Sequence, residues 1–509
     1  MRVVADLDKE IVCHEHVSIR MRDGAHLAAR IWLPKHAARH PVPAILEYIP
    51  YRKRDLTRRR DAINHVYFAA MGYACIRVDL RGSGESEGVL QDQYLAQEQD
   101  DGCDCIDWIS KQAWCNGKVG MFGISWGGFA ALQIAARRPE ALHAIIAVCA
   151  TDDLYVDNMH YMGGCLLSDN LSEASTMLAF NSCPPDPALV GDAWKDMWLE
   201  RLRSSGLWLE TWLAHQHRDD YWLPASVREH YDDIRCPALL VSGWADGFTN
   251  AIFRLLQHLP APAKGLIGPW EHQYPHIAQP GPTIGFLQES KRWFDHWLKH
   301  VDNDVEYDPS LRVWLQDSMP PQTLYHERPG RWVAEEDWPS SRITDTAWYL
   351  GPAGGMEREQ PPSDVRTIRS PLTVGLFAGK WCSYTQTPDL PADQRLEDGG
   401  SLVFETEPLS EDVEILGMPM LQVELSSDQP EAMLAARLSD VRPDGATTRI
   451  TYGLLNLSDR DGHAHPQPLV PGKTERVLLS LNGVAQRFPR GHRIRLSLST
   501  SYWPLAWPS

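Results

Sequence analysis

The residues with the types and spacing to do chemistry lie in Gly123-Ile124-Ser125-Trp126-Gly127-Gly128. A serine hydroxyl attacks a carbonyl only when a base takes its proton, and that base needs a carboxylate to hold its tautomer. The setting of Ser125 suits that task. Val119-Gly120-Met121-Phe122 before it reads as an apolar strand, and Ala130-Ala131-Leu132-Gln133-Ile134-Ala135-Ala136 after it reads as a helix stopped by Pro139. A strand that turns sharply into a helix at Gly-x-Ser-x-Gly lifts the serine to the strand tip, with glycines where side chains would collide. The helix N-terminus behind the serine favours developing negative charge.

Two further residues follow in order. Gly243-Trp244-Ala245-Asp246-Gly247 ends one apolar run, Pro237-Ala238-Leu239-Leu240-Val241-Ser242. Gly268-Pro269-Trp270-Glu271-His272 ends the next, Lys264-Gly265-Leu266-Ile267. In a parallel sheet all such strand ends open on one edge, so Asp246 and His272 are expected beside Ser125. The order Ser, Asp, His is that of α/β-hydrolases. His276 is a rival base, and Asp152 and Asp153, after an earlier strand, are rival acids. The oxyanion of the tetrahedral intermediate needs two donors. The Trp126 amide is one. The second should come from Ile49-Pro50-Tyr51-Arg52-Lys53-Arg54, which has no glycine run to present an amide; a Tyr51 hydroxyl could serve, or Tyr51 could simply pack. Trp244, Phe248, Trp270, Tyr221 and Trp222 are candidates to line an acyl pocket, with plain packing open for each.

These residues need a sheet to hold them. Val17, Ile19 and Met21 alternate up to Asp23-Gly24, and Leu27, Ala29 and Ile31 alternate after it, as in a hairpin. Pro43-Ala44-Ile45-Leu46-Glu47-Tyr48, Tyr73-Ala74-Cys75-Ile76-Arg77-Val78-Asp79 and Leu142-His143-Ala144-Ile145-Ile146-Ala147-Val148 read as strands buried on both faces. Residues 151–232 show no strand run; Trp194, Met197, Trp198 and Leu202, then Trp208, Trp212 and Leu213, recur at helical spacing, as in a helical cap. The sheet pattern resumes over 233–304 and closes with a helix around Phe286 to Lys299. From 305 to 509 the period is two, as in Leu421, Val423, Leu425 and in Ile494, Leu496, Leu498, with Pro443-Asp444-Gly445 between two strands. The expectation is an α/β core over 1–150 and 233–304, a cap over 151–232, and a β-sandwich over 305–509.

Composition sets limits. With 509 residues there is chain for two or three domains. The net charge of −18 argues against nucleic acid, whose phosphates need basic surface. No apolar run reaches the roughly 18 residues of a membrane span. The start, Met1-Arg2-Val3-Val4-Ala5-Asp6-Leu7-Asp8, turns acidic without a signal-peptide core, so a cytoplasmic location is expected. Ten scattered cysteines suit free thiols. Cys103-Asp104-Cys105 and Cys13-His14-Glu15-His16 lack a second half at zinc-site spacing, and Gly82-Ser83-Gly84 lacks the third glycine of a nucleotide loop; no metal or cofactor is implied.

The combination of Pro50-Tyr51, Arg81-Gly82-Ser83-Gly84-Glu85-Ser86-Glu87-Gly88, Gly123-Ile124-Ser125-Trp126-Gly127-Gly128, Gly243-Trp244-Ala245-Asp246-Gly247-Phe248 and Gly268-Pro269-Trp270-Glu271-His272 resembles the cocaine esterase family. That family also holds Xaa-Pro dipeptidyl-peptidases, α-amino-acid ester hydrolases and cephalosporin acylases. The resemblance implies an α/β-hydrolase domain, a helical cap inserted after the sixth strand, and a C-terminal jelly-roll that this chain stops short of completing. It implies Ser125 as nucleophile, Asp246 as acid, His272 as base, and Tyr51 with the Trp126 amide as oxyanion donors. Relatives that hold an α-ammonium place carboxylates beside the pocket, and none neighbours Ser125 in the sequence. The expectation is therefore a serine hydrolase of small-molecule esters or amides. A dipeptidyl-peptidase or α-amino-ester hydrolase is the alternative, with acids supplied by the cap. A degenerate binding protein that uses the β-domain is the reading from another class.

Overall fold

The computed structural model describes residues 10–384 and 389–509; the acidic stretch over residues 1–8 lies outside the described residues. Strands β1 (Ile11–Arg20) and β2 (His26–Pro34) form the hairpin expected at Asp23-Gly24. Gly24 takes φ +95°, a turn conformation that costs glycine little. Next come β3 (Val42–Ile49), β4 (Ala74–Asp79), β5 (Cys115–Ile124) and β6 (Leu142–Val148). A two-residue hairpin, β7 (Tyr161–Met162) with β8 (Cys165–Leu166), lies between β6 and the next core strand, and β9 (Ala238–Gly243) and β10 (Ala263–Gly268) complete the core. The sheet order is β1-β2-β4-β3-β5-β6-β9-β10, with the strands from β3 onward parallel. Every residue of β3, β4 and β9 is buried, which is why these strands read as continuous rather than alternating.

Helices α1 (Arg58–Ala70), α2 (Ala96–Ser110) and α3 (Trp126–Ala136) fill the crossovers. Residues Trp126 to Ala135 of α3 are all buried, the condition of a helix apolar on every side. Between β6 and β9 the chain forms α4 (Asp169–Asn181), α5 (Pro187–Val190), α6 (Trp194–Ser204) and α7 (Trp208–Ala214). The tryptophan spacing marked α6 and α7. The β7–β8 hairpin gave no signal, because two-residue strands are too short to show a period. After β9 and β10 come α8 (Asn250–His258) and α9 (Phe286–Lys299).

The sheet does not stop at residue 304. Strand β11 (Leu311–Gln316) pairs in parallel with β10, and β12 (Gly330–Glu335) pairs antiparallel with β11. Beyond them, Val484–Phe488 and Val413–Gly417 carry the same sheet into the C-terminal half. Four more strands, Leu402–Glu405, Arg493–Ser499, Met433–Val441 and Thr447–Asn456, make an antiparallel sheet, and Met420–Leu425 pairs with Glu475–Ser480. Leu421, Ile494, Leu496 and Leu498 face a second apolar core with Phe404, Val477 and Phe488. Among the described residues no helix is long and apolar enough to cross a membrane.

Candidate active site

Ser125 stands between β5 and α3 with φ 56° and ψ −124°, a backbone state that a residue with a Cβ adopts only under strain. Its amide donates to the Val148 carbonyl (2.9 Å), and its own carbonyl accepts from the amides of Gly128 (2.8 Å) and Phe129 (2.9 Å). A Cβ on Gly123 would lie 2.5 Å from the Gly127 carbonyl carbon, so the strand and helix can close this tightly only with glycine there. Ser125 is half-buried while its neighbours are buried, which leaves the hydroxyl within reach of a ligand.

The loops after β9 and β10 bring Asp246 and His272 together, with Nδ1 of His272 donating to Oδ1 of Asp246 at 3.0 Å. The other carboxylate oxygen accepts from the Ser242 hydroxyl at 2.8 Å. Burial would raise the Asp246 carboxyl, but the His272 charge and the donors around it hold it below the ordinary range. It thus stays an anion that orients the imidazole. The rivals are placed elsewhere. Among the described residues neither ring nitrogen of His276 has a hydrogen-bond partner, and burial drops it to about 4. Asp152 is paired with Arg254 and Tyr231, and Asp153 with Arg218 and Arg228.

Tyr51 packs edge-on against Trp126 (6.1 Å) and Phe180 (5.8 Å), and the Ser125 side chain is near enough to its phenol to draw it down against burial. Burial keeps that phenol well above its usual range, so it remains a donor. The loop that carries it is clamped by three consecutive cations. Arg52, at φ 53°, donates to Asp55 and to the Pro184 carbonyl (2.9 Å) beyond α4. Lys53, fully buried, pairs with Glu85, and its amide donates to Asp79 (2.8 Å). Arg54 reaches Asp186 (3.2 Å). The Trp126 amide is the first of α3 and has no intrahelical acceptor, which leaves it free for an oxyanion. The Trp126 indole donates to Glu98 at 2.6 Å, and burial raises that carboxyl to about 8.

Of the pocket candidates, Phe248 lies against His272 (5.5 Å). The other four make contacts away from His272. Trp244 donates to the Trp314 carbonyl (2.7 Å), and Trp270 to that of Pro282 (2.9 Å) beside Trp332. Tyr221 donates to Asp92 (2.7 Å) and stacks on His215, while Trp222 is enclosed by Tyr155, His160 and Tyr161. Four residues absent from the sequence reading join the site. Glu173 of α4 acts electrostatically on His272, Tyr51 and Tyr384. Tyr384 packs edge-on against His272 (5.3 Å). Cys382, from the C-terminal half, donates to Asp246 at 3.6 Å, and the Cys149 sulfur, just after β6, lies within 4.8 Å of that carboxylate. Cys149 was open to discovery, since it ends the strand between those of Ser125 and Asp246. Cys382 and Tyr384 follow no motif.

Neither cysteine–acid run of the sequence forms a cluster with metal-ligand spacing among the described residues. Glu47, Asp61 and His65 do approach one another, but Arg60 (2.8 Å from Glu47) and Arg77 (3.6 Å from Asp61) neutralise the acids.

Residues 23–274 match the family model for X-Pro dipeptidyl-peptidase (S15 family), and residues 303–509 match that for the X-Pro dipeptidyl-peptidase C-terminal non-catalytic domain. The chain belongs to the S15 family. It is a hydrolase. Among S15 relatives, cocaine esterase from Rhodococcus sp. (strain MB1 Bresler) is 26% identical, over 96% of this chain and 91% of that protein. The fold is that of an α-amino acid ester hydrolase (TM-score 0.78, 21% identity, 100% of this chain and 92% of the other). It is equally that of an aminopeptidase from a marine sediment archaeon, Thaumarchaeota archaeon (TM-score 0.77, 21% identity, 100% and 92%).

Proposed function

We propose that this S15 hydrolase is a serine esterase that works through an acyl-enzyme. Ser125 attacks the carbonyl carbon while His272 takes its proton through Nε2. Asp246 holds the imidazole and stabilises its charged form. The Tyr51 hydroxyl and the Trp126 amide receive the oxyanion. His272 then returns the proton to the leaving alcohol, and water, activated by the same base, releases the acid. The observation that carries this reading is the strained Ser125 near a Tyr51 that burial keeps protonated, on the sheet edge where His272 pairs with Asp246. Phe248 and Tyr384 give an aromatic border that suits small apolar or aromatic acyl groups. The C-terminal strands are read as a jelly-roll-like sandwich, and residues 151–232 as a cap. Ten free cysteines suit a cytoplasmic enzyme.

Glu173 favours a second reading, in which the acyl group carries an amine. Burial raises its carboxyl to about 7, against the pull of His272, and Asp169, one turn earlier on α4, rises to about 6. The α-amino acid ester hydrolase and the aminopeptidase that share the fold act, by name, on such substrates. A matched pair of esters with and without an α-amino group separates the two. In the first reading, kcat/KM for apolar acyl esters exceeds that for Xaa-Pro anilides by at least ~10²-fold, and deleting the amine costs little. In the second, deleting it costs more than about tenfold and Glu173→Gln abolishes the difference. Because Glu173 ionises as pH rises through about 7, KM for the amine-bearing ester alone should then fall over that range.

A further inference from the structure

Four donor atoms from four separated stretches of chain converge behind the proposed base, and the reaction uses two of them. Oδ1 of Asp246 lies 3.0 Å from Nδ1 of His272 and accepts from the Cys382 thiol at 3.6 Å. The Cys149 sulfur lies within 4.8 Å of the same carboxylate. One ligand atom each from Cys149, Asp246 and His272 fall within 4.8 Å of one another. Tetrahedral zinc, with about 2.3 Å to sulfur and 2.0–2.1 Å to nitrogen, holds its ligands about 3.5–3.8 Å apart. Cys149, Asp246 and His272 need only small rotations to meet on one ion, and Cys382, 3.6 Å from Asp246 but outside that group of three, must turn further toward them to complete the set. Two sulfurs, an imidazole nitrogen and a carboxylate oxygen are the donors such ions choose. The cluster differs from the Glu47, Asp61 and His65 group in holding no arginine.

We propose that Cys149, Cys382, Asp246 and His272 form an inhibitory site for a thiophilic divalent cation of the zinc and cadmium class. The step balances. The cation displaces the two thiol protons to solvent and binds both thiolates, the carboxylate and Nδ1. The imidazole proton, held on Nδ1 by Asp246, moves to Nε2. A histidine with hydrogen on Nε2 cannot accept the Ser125 proton, so the nucleophile is silenced while the fold stays intact. The inference rests on the reading of His272 as base. The side chain of His272 is 6% exposed and that of Asp246 is closed off, so entry is slow and inhibition time-dependent.

Cadmium chloride alone is the probe. Wild-type enzyme should lose activity over minutes by at least ~10-fold at one cadmium per chain, with an ultraviolet cadmium–thiolate band growing in step, and EDTA should restore it. In Cys149→Ser/Cys382→Ser the half-inhibitory concentration should rise by at least ~100-fold. Equal sensitivity in the double variant overturns the proposal. Should that variant fail to fold, cobalt(II) on the wild type decides: intense tetrahedral bands with two thiolates support the site, and weak octahedral bands overturn it. If the cobalt spectrum is as expected while fluorophosphonate labelling of Ser125 is unchanged, the cation site stands apart from His272 and inhibition through Nδ1 is refuted. Absence of any active-site labelling in metal-free enzyme would instead count against the proposed function itself.

Discussion

That Ser125, Asp246 and His272 each follow a strand was legible in the sequence, and strand ends of a parallel sheet share an edge. Tyr51 was legible only as one of two options, since a loop tyrosine can pack or donate. Burial that keeps its phenol protonated near Ser125 supports the donor role. Tyr51→Phe keeps both ring contacts and removes one hydrogen bond made to the transition state. The expected cost is about 10²–10³ in kcat with KM little changed. Steady-state kinetics on a chromogenic ester check this, and a loss under about threefold would return Tyr51 to packing. Which aromatics border the site was not legible, since ring packing leaves no local period: Trp222 and Tyr221 pack on each other and on Tyr161 between β6 and β9.

At the level of elements, α2 and α3 are joined under the nucleophile by the Trp126–Glu98 bond. Nothing in the sequence of α2 marks Glu98, since a glutamate on a helix ordinarily faces water; here it is 5% exposed. Its folded carboxyl, near 8, lies above the ordinary unfolded value of about 4.3. The stability it contributes is therefore complete below that unfolded value and is lost as pH rises through about 8. Glu98→Gln keeps the oxygen that accepts from Trp126 and never ionises. The variant should melt higher than wild type at pH 9 and within a degree or so of it at pH 4. Thermal scans at the two pH values measure this; a difference independent of pH would assign the effect to packing. The Tyr51 loop is likewise positioned by elements far off in sequence. Arg52, Lys53 and Arg54 reach the residues after α4, the buried Asp79 and Glu85, and Asp186, and a charge run alone would have read as a solvated face.

For the whole molecule, the alternating strands after residue 305 announced an all-β half, but not that its strands continue the catalytic sheet through β11, nor that it closes the site. Long-range pairing leaves no local period to read. The Ser383 carbonyl accepts from the His272 amide (3.0 Å), and Trp381 lies edge-on against Phe248 (5.1 Å). A Cβ on Gly247 would sit 2.6 Å from the Trp381 ring, so the Asp246 loop is moulded to it. Trp381→Ala should destabilise the protein by about 3–5 kcal/mol, as large-to-small changes in cores do, and lower kcat by loosening that loop. Urea unfolding and kinetics together test this, and unchanged kcat would confine the C-terminal half to a structural part. What binds the whole together is the proposal that Ser125 is an activated nucleophile. Mass spectrometry of the intact chain after brief treatment with a fluorophosphonate measures that directly. One adduct per chain is expected, on the peptide containing Ser125 and absent from Ser125→Ala, with turnover in that variant lower by at least ~10⁴-fold. No adduct on folded wild-type protein, or comparable turnover in Ser125→Ala, would contradict the mechanism.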